Sequence, residues 1–253
     1  MANGLRKIKT SLRAVWRGAR LLAHLLKGAW IVAFRFPRLH YWQQHEHVQA
    51  WAATLLVRAG VQLEIRGEPP AKGPVLLVSN HISWLDIPLL HAARHCRFIS
   101  KSDVKGWPII GTLATAAGTL YIQRSSRRDA RRMVSAMEEA FKRGEILAVF
   151  PEGTTSDGRE LLSFHSNLLE AAVLCEAPVL PVGLRFVDGA TGETSYAATY
   201  VGDETLLGSI WRVLSSEQLV AVVHYGETET AQGRDRRIWS RDLRSEVDRL
   251  RQS

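Results

Sequence analysis

The stretch "PVLLVSNHISWLDIPLL", residues 74–90, runs an apolar segment into a polar turn and then into a second apolar segment with helical spacing. A short apolar strand that turns into a helix is the building unit of an α/β sheet. Ser83 followed three residues later by Asp86 has the spacing of a capping box, which predicts a helix over 84–94. His81 then lies on the strand-to-helix turn and Asp86 in the first helical turn. Residues five apart do not share a helical face, but across a turn a carboxylate can curl back to an imidazole. Such a carboxylate fixes the ring tautomer and stabilises the imidazolium, so that the histidine can take a proton from a hydroxyl. Alone, the same pattern also describes a structural cap.

The α/β rhythm continues outward from this unit. Apolar runs predict strands at "VQLEIRG" (61–67), "VLLVS" (75–79), "RFIS" (97–100), "TLYIQ" (119–123), "ILAVF" (146–150), "VLPVGLRF" (179–186), "YAATYV" (196–201) and "LVAVVHY" (219–225). Helices are expected at 84–94, 108–116, 126–143, 165–176, 203–214 and 234–251. The fold class is therefore α/β, with a mixed, largely parallel sheet covered by helices. The uncharged run "GWPIIGTLATAAGTLYIQ" (106–123) is long, but its proline, glycines and threonines predict a short helix, a turn and a strand in place of a membrane span.

The N-terminal sixty residues read differently. No Asp or Glu occurs through residue 45, whereas Arg13, Arg17, Arg20, His24 and Lys27 step by four, three, four and three along a helix expected over 12–36. Its other faces carry Leu12, Val15, Trp16, Leu22, Leu26 and Trp30, and Pro37 ends it. A basic, tryptophan-bearing amphipathic helix suits a membrane interface with anionic lipids facing the basic stripe. His24 and Lys27 leave fewer than the ~20 apolar residues that a spanning helix needs. A second apolar helix is expected over 45–60, closed by Gly60. Its "HEH" lacks the spacing that puts two histidines on one helical face for zinc. No cleavable signal is read, since the candidate apolar core is interrupted and no A-x-A-like site follows it.

Composition agrees. The 253 residues, 46% apolar and 23% charged, suit a globular chain, and Cys96 and Cys175 form neither a CxxC pair nor a disulfide framework. A net charge of +8 concentrated in the N-terminal arm favours an anionic membrane surface over nucleic acid.

Two further stretches carry candidate chemistry. "FPEGTTSDG" (150–158) follows the strand "ILAVF", placing Glu152 and several backbone N–H groups at the sheet edge where α/β proteins hold ligands. "GTLYIQRSSRRDARR" (118–132) places Arg124 at a strand end, where its fork suits a phosphate. Arg127, Arg128, Arg131 and Arg132 follow it as a phosphate site, a solvated face or a dock for an acidic donor.

The three stretches, in this order, resemble the glycerolipid acyltransferase family, whose members acylate lysophosphatidic acid. The matching blocks are Asn80 to Asp86 for NHxSxxD, Gly118 to Arg124, Phe150 to Ser156, and Leu180-Pro181-Val182; together they span roughly residues 60–190. The resemblance implies a domain at 61–253 that transfers an acyl chain from a thioester to a lysolipid hydroxyl, preceded by a membrane-interface segment at 1–60. It implies that His81 is the general base and that Asp86 orients it. Arg124 would contact the acceptor's phosphate, and Glu152 and Gly153 would shape the acceptor site. Asn80, Ser83, Thr154 and Thr155 complete the implied substrate-binding set.

Neither metal nor cofactor is implied, nor an acyl-enzyme, and no GxSxG elbow is present. The donor would be acyl-carrier protein or acyl-CoA. The expected location is the cytoplasmic face of a bacterial inner membrane.

The implied acceptor is 1-acyl-sn-glycerol-3-phosphate. One departure bears on it: relatives commonly carry arginine where this chain has Thr155. The form TTSDG resembles members that acylate lyso-ornithine lipid, whose head is an amino acid. Two other classes fit the residues less fully: a non-catalytic lipid-binding protein that kept the fold, and a thioesterase with water as acceptor.

Overall fold

The computed structural model describes residues 2–122 and 127–253, without the side chains of residues 2–6, Arg127 and Ala130. Seven strands form one sheet: β1 (Val61–Arg66), β2 (Val75–Ser79), β3 (Arg97–Lys101), β4 (Leu120–Ile122), β5 (Ile146–Val149), β6 (Val179–Asp188) and β7 (Leu219–Tyr225). Their order is β1-β7-β6-β2-β5-β3-β4. Every neighbouring pair is parallel except β6 and β7. The helices are α1 (Ala2–Phe34), α2 (Tyr41–Ala59), α3 (Asp86–Ala93), α4 (Ile110–Ala116), α5 (Arg127–Lys142), α6 (Glu170–Leu174), α7 (Leu206–Ser215) and α8 (Arg236–Gln252).

Helices cover both faces, so the central strands are near-continuous apolar runs, as in Val75–Val78 of β2 and all of β5. Along β2, Val75 and Leu77 point into a core shared with α1, α2, α3 and α7. Leu76 and Val78 point the other way, against Met137 and Phe141 of α5 and Trp239 and Leu243 of α8. In the β2–β5 register Val78 lies opposite Val149, so the residues that follow, Asn80-His81 and Phe150, leave the sheet side by side at one edge. The run from 106 resolves, up to residue 122, into the expected short helix α4, a turn at 117–118 and strand β4.

The helix predicted over 12–36 runs from Ala2 to Phe34, and the one predicted over 45–60 from Tyr41 to Ala59. Ala14 and Leu21 of α1 and Leu55, Leu56 and Ala59 of α2 lie in the same buried cluster as β7 and α7. Gly60 takes φ +80° to close α2, and a Cβ there would meet the Arg17 guanidinium.

Two sequence expectations are corrected. Much of the basic stripe of α1 is engaged by the domain, although Lys27 is exposed: Arg17 Nη1 donates to the carbonyls of Leu214 (3.0 Å) and Ser216 (2.6 Å). Arg13 Nη2 donates to Ser215 O (3.1 Å) and Glu217 (3.2 Å), and His24 Nε2 to Trp51 O (2.9 Å). The last carbonyls of α7 have no intrahelical partners, so cations are drawn to them. The outward face of α1 is instead the apolar one, where Leu12, Val15, Trp16, Leu22, Leu26, Trp30 and Phe34 are each 52–65% exposed.

The second correction concerns "YAATYV", which is a loop. Beyond Val182 strand β6 is no longer paired with β2. There the residues just before this run turn back on β6, with a single antiparallel bridge from Thr194 to Val187 and Ser195 N donating to Phe186 O at 2.8 Å; the pairing ends there. The carbonyls of the run go to side chains: Arg212 Nε donates to Ala197 O (2.9 Å), Ser209 Oγ to Thr199 O (3.2 Å) and the Thr155 hydroxyl to Tyr200 O.

Candidate active site

Strand β2 delivers His81 to the sheet edge, and the following turn bends so that Asp86 lies beneath it. His81 Nδ1 donates to Asp86 Oδ2 at 2.8 Å. The same oxygen accepts from the backbone N–H groups of Ile82 (2.6 Å) and Ser83 (2.9 Å). The carboxylate is fully buried, and its other oxygen, Oδ1, has no partner among the described residues. All of its bonding therefore goes to holding the 81–83 turn and the imidazole. Because a carboxylate can only accept, the proton sits on Nδ1 and Nε2 keeps its lone pair. The helix begins at Asp86, not at residue 84, but the local logic is that of a cap: Ser83 Oγ accepts from Leu85 N at 3.2 Å while Asp86 takes Ser83 N.

Two other groups fix the ring and the turn. The Phe150 ring stacks on the His81 ring with centroids 4.1 Å apart and planes 6° apart, and Phe98 backs Phe150 at 5.5 Å. Glu152 Oε1 accepts from His81 N (2.7 Å) and its Oε2 from Leu162 N (2.8 Å). Burial pushes the Glu152 carboxyl above its ordinary value, and the two N–H donors pull it partly back. Ser156 N donates to His81 O at 2.8 Å, so the 150–156 turn clasps His81 from both its N–H and its carbonyl.

The structure brings His81, Asp86, Glu152 and Gly153 together and gives the remaining sequence candidates distinct places. Asn80 is fully buried, and its amide bonds both the N–H (2.7 Å) and the carbonyl (2.9 Å) of Leu184, pinning the end of β2 to β6. Ser83 is buried within the turn. Gly153 N closes the turn onto Phe150 O at 3.0 Å. Thr154 is exposed, and Thr155 is half-buried with its hydroxyl committed to Tyr200. Arg124 lies outside the described residues. The sequence reading did not single out Phe150, Ser156 or the 194–200 loop as parts of the site. The phenylalanine directly after a strand, at the same edge as His81, was the one available signal.

A half-buried histidine whose Nδ1 is bonded to a fully buried carboxylate, at the sheet edge, suits an enzyme that activates an incoming hydroxyl through Nε2. Residues 60–185 match the family model described as Acyltransferase. The chain belongs to this family, the glycerolipid acyltransferases, and is an acyltransferase.

Among its relatives is a lyso-ornithine lipid O-acyltransferase of Pseudomonas aeruginosa, 34% identical over 93% of this chain and 92% of that protein. A 1-acyl-sn-glycerol-3-phosphate acyltransferase of Neisseria meningitidis is 37% identical over 68% of this chain and 67% of its own length. The crystal structure of PlsC, the 1-acyl-sn-glycerophosphate acyltransferase of Thermotoga maritima, superposes with a TM-score of 0.69 over 98% of both chains. At 18% identity, that last likeness is one of fold.

Proposed function

We propose that the enzyme transfers an acyl chain from a thioester to the free hydroxyl of a lysolipid. The carrying observation is the His81–Asp86 pair at 2.8 Å, with Nε2 turned away from its partner. His81 Nε2 takes the hydroxyl proton as the oxygen attacks the thioester carbonyl. Asp86 stabilises the resulting imidazolium, and the tetrahedral intermediate collapses with loss of the thiolate. The imidazolium returns its proton to that sulfur, so the products are an ester and a free thiol and the enzyme is regenerated. A donor of either kind, acyl-carrier protein or acyl-CoA, satisfies these steps.

One acceptor that satisfies these steps is 1-acyl-sn-glycerol-3-phosphate, giving phosphatidic acid. A second reading, lyso-ornithine lipid, is favoured by two observations. The relative bearing that name aligns over most of both chains, and position 155 carries a threonine whose hydroxyl is spent on Tyr200. The test offers purified protein a labelled acyl thioester with each lysolipid and identifies the product. Transfer to either lipid that falls about 10²–10⁴-fold in His81→Ala supports the reading. Thioester hydrolysis with no lipid product, or full turnover by a folded His81→Ala, defeats it.

Work at a membrane interface belongs to the same proposal. It is supported by the apolar face that α1 turns outward, rich in tryptophan and leucine. Among the described residues, no helix is long and apolar enough to cross a membrane. A water-soluble thioester donor would reach such an enzyme from the cytoplasmic side.

A further inference from the structure

A cleft of about 310 Å³ opens next to the site, with Ile82, the residue after His81, in its wall. Clefts of about 300–1,000 Å³ are the usual size for small-molecule sites. One wall is the 157–159 turn with Asp157 and Arg159. The floor is Arg185 of β6, and the far wall is the 194–199 loop with Tyr196.

This is a built feature. Arg251 of α8 donates to the carbonyls of Gly158 (2.7 Å) and Arg159 (3.0 Å), fixing the turn from below. Gly158 takes φ +77° where the turn closes on Ile82. Tyr200 N donates to Ile82 O at 3.0 Å, so the loop carrying Tyr196 is tied to the residue beside His81.

The charges of the cleft are of both signs. The Arg159 guanidinium lies over the Tyr196 ring at 5.1 Å, leaving its edge open to a ligand. Arg185 Nε is buried without a partner among the described residues. Asp157 Oδ2 stands 3.8 Å from Arg159 Nε, a loose pair with both side chains largely in solvent. A third lining arginine, Arg251, is taken up by Asp248 and by the turn's carbonyls. That leaves two cations beside one carboxylate, a match for a head group that itself carries one anion and one cation. A phosphomonoester has close to two negative charges and no cation, so Asp157 opposes it.

We propose that this cleft holds the acceptor's head group and selects a zwitterionic amino-acid head, its carboxylate on Arg159 and Arg185 and its ammonium on Asp157. The proposal rests on the lysolipid reading above and decides between its two acceptors. It also gives the 194–200 loop a purpose: bonded to both Ile82 and Thr155, it holds the head-group wall in register with the base.

The test uses the full chain, a labelled palmitoyl thioester, and two acceptors, lyso-ornithine lipid and 1-acyl-sn-glycerol-3-phosphate. Asp157→Asn, Arg159→Gln and Arg185→Gln are compared with wild type, with thermal melting as the folding control. Each loses one charge-assisted bond, so KM for lyso-ornithine lipid is expected to rise about tenfold while kcat and the donor KM hold. Asp157→Asn should in addition improve the glycerophosphate acceptor. Acetylating the amine of lyso-ornithine lipid should abolish the effect of Asp157→Asn but leave that of Arg159→Gln.

Variants that move only the donor KM, that affect both acceptors equally, or that change nothing overturn the proposal. So does a wild-type preference for the glycerophosphate, which would leave lysolipid transfer itself standing. A wild type that acylates neither lipid removes the lysolipid reading and this one with it.

Discussion

At the scale of single residues, the site depends on how one buried oxygen is shared. Asp86 Oδ2 accepts three N–H groups, from His81, Ile82 and Ser83. Asparagine can keep an oxygen in that place but carries no charge to balance an imidazolium. Asp86→Asn is therefore expected to fold and to lose about 10²–10⁴-fold in kcat, the range of a disabled general base. Kinetics beside a melting curve check this, and wild-type turnover would reduce Asp86 to a cap. Phe150 acts on the ring differently, by stacking at 4.1 Å. Phe150→Leu keeps the volume but not the flat face, and such a stack is worth about 0.5–1.5 kcal/mol. A fall in kcat of about 3- to 10-fold is expected with KM for the acceptor unchanged. A change confined to KM would show that Phe150 contacts substrate and does not position the base.

At the scale of elements, the 194–200 loop and α1 are each held by side chains that capture backbone carbonyls. Thr155 supplies one such bond, to Tyr200 O. Thr155→Val keeps the shape and leaves that carbonyl unsatisfied, at a cost of about 1–3 kcal/mol. Faster proteolysis within 194–201, restored to wild type by Thr155→Ser, is the expected result; an unchanged digestion pattern would mean the loop is held without it. Helix α1 shows what the sequence could and could not show. Its amphipathic period was legible, since hydrophobic spacing sets a face wherever the helix lies. Which face turns inward was not, because Arg13 and Arg17 find their partners about 200 residues away, on the end of α7. Binding to vesicles should accordingly rest on the apolar stripe. The triple change Trp16→Gln, Leu26→Gln and Trp30→Gln should weaken co-sedimentation by about 10²-fold or more, given about 1.5–3 kcal/mol for each large side chain buried. Raising salt above about 0.1 M, where exposed charges are screened, should do far less. Release by salt alone would restore the electrostatic reading.

At the scale of the whole molecule, α2 is joined to the body by a stack of histidines. His45 of α2 lies 3.9 Å from His95, which lies 5.3 Å from His91 of α3. Both His95 nitrogens are buried without partners among the described residues. Burial lowers the His91 pKa to about 4 and the His95 pKa to about 2, with neighbouring cationic groups adding to it. The unfolded chain takes up these protons near pH 6.5, before the folded one does, so stability falls as pH drops from about 6.5 towards 4. Each histidine contributes about 1.4 kcal/mol per pH unit across that window. Urea denaturation at several pH values should show this slope, and His95→Phe should flatten it while keeping the stack. A slope that His95→Phe leaves untouched would assign the acid sensitivity to other groups.

Much of the molecule follows from the sequence alone. Apolar runs of strand length alternating with amphipathic helices determined the α/β sheet, because burial on both faces demands that pattern. The spacing from Asn80 to Asp86 and the turn at Phe150 determined the histidine, its carboxylate and the segment that meets them, since strand ends in such a sheet share one edge. The tertiary structure alone decided that "YAATYV" is a loop: its carbonyls are taken by the side chains of Arg212, Ser209 and Thr155, which lie elsewhere in the sequence. It decided that Asn80 and Thr155 spend their polar atoms on distant backbone, at Leu184 and Tyr200. It also decided that Arg13 and Arg17 of α1 turn onto the end of α7. A sequence specifies local period and chemistry, but a hydrogen bond between residues far apart in the chain exists only once the fold has brought donor and acceptor within reach.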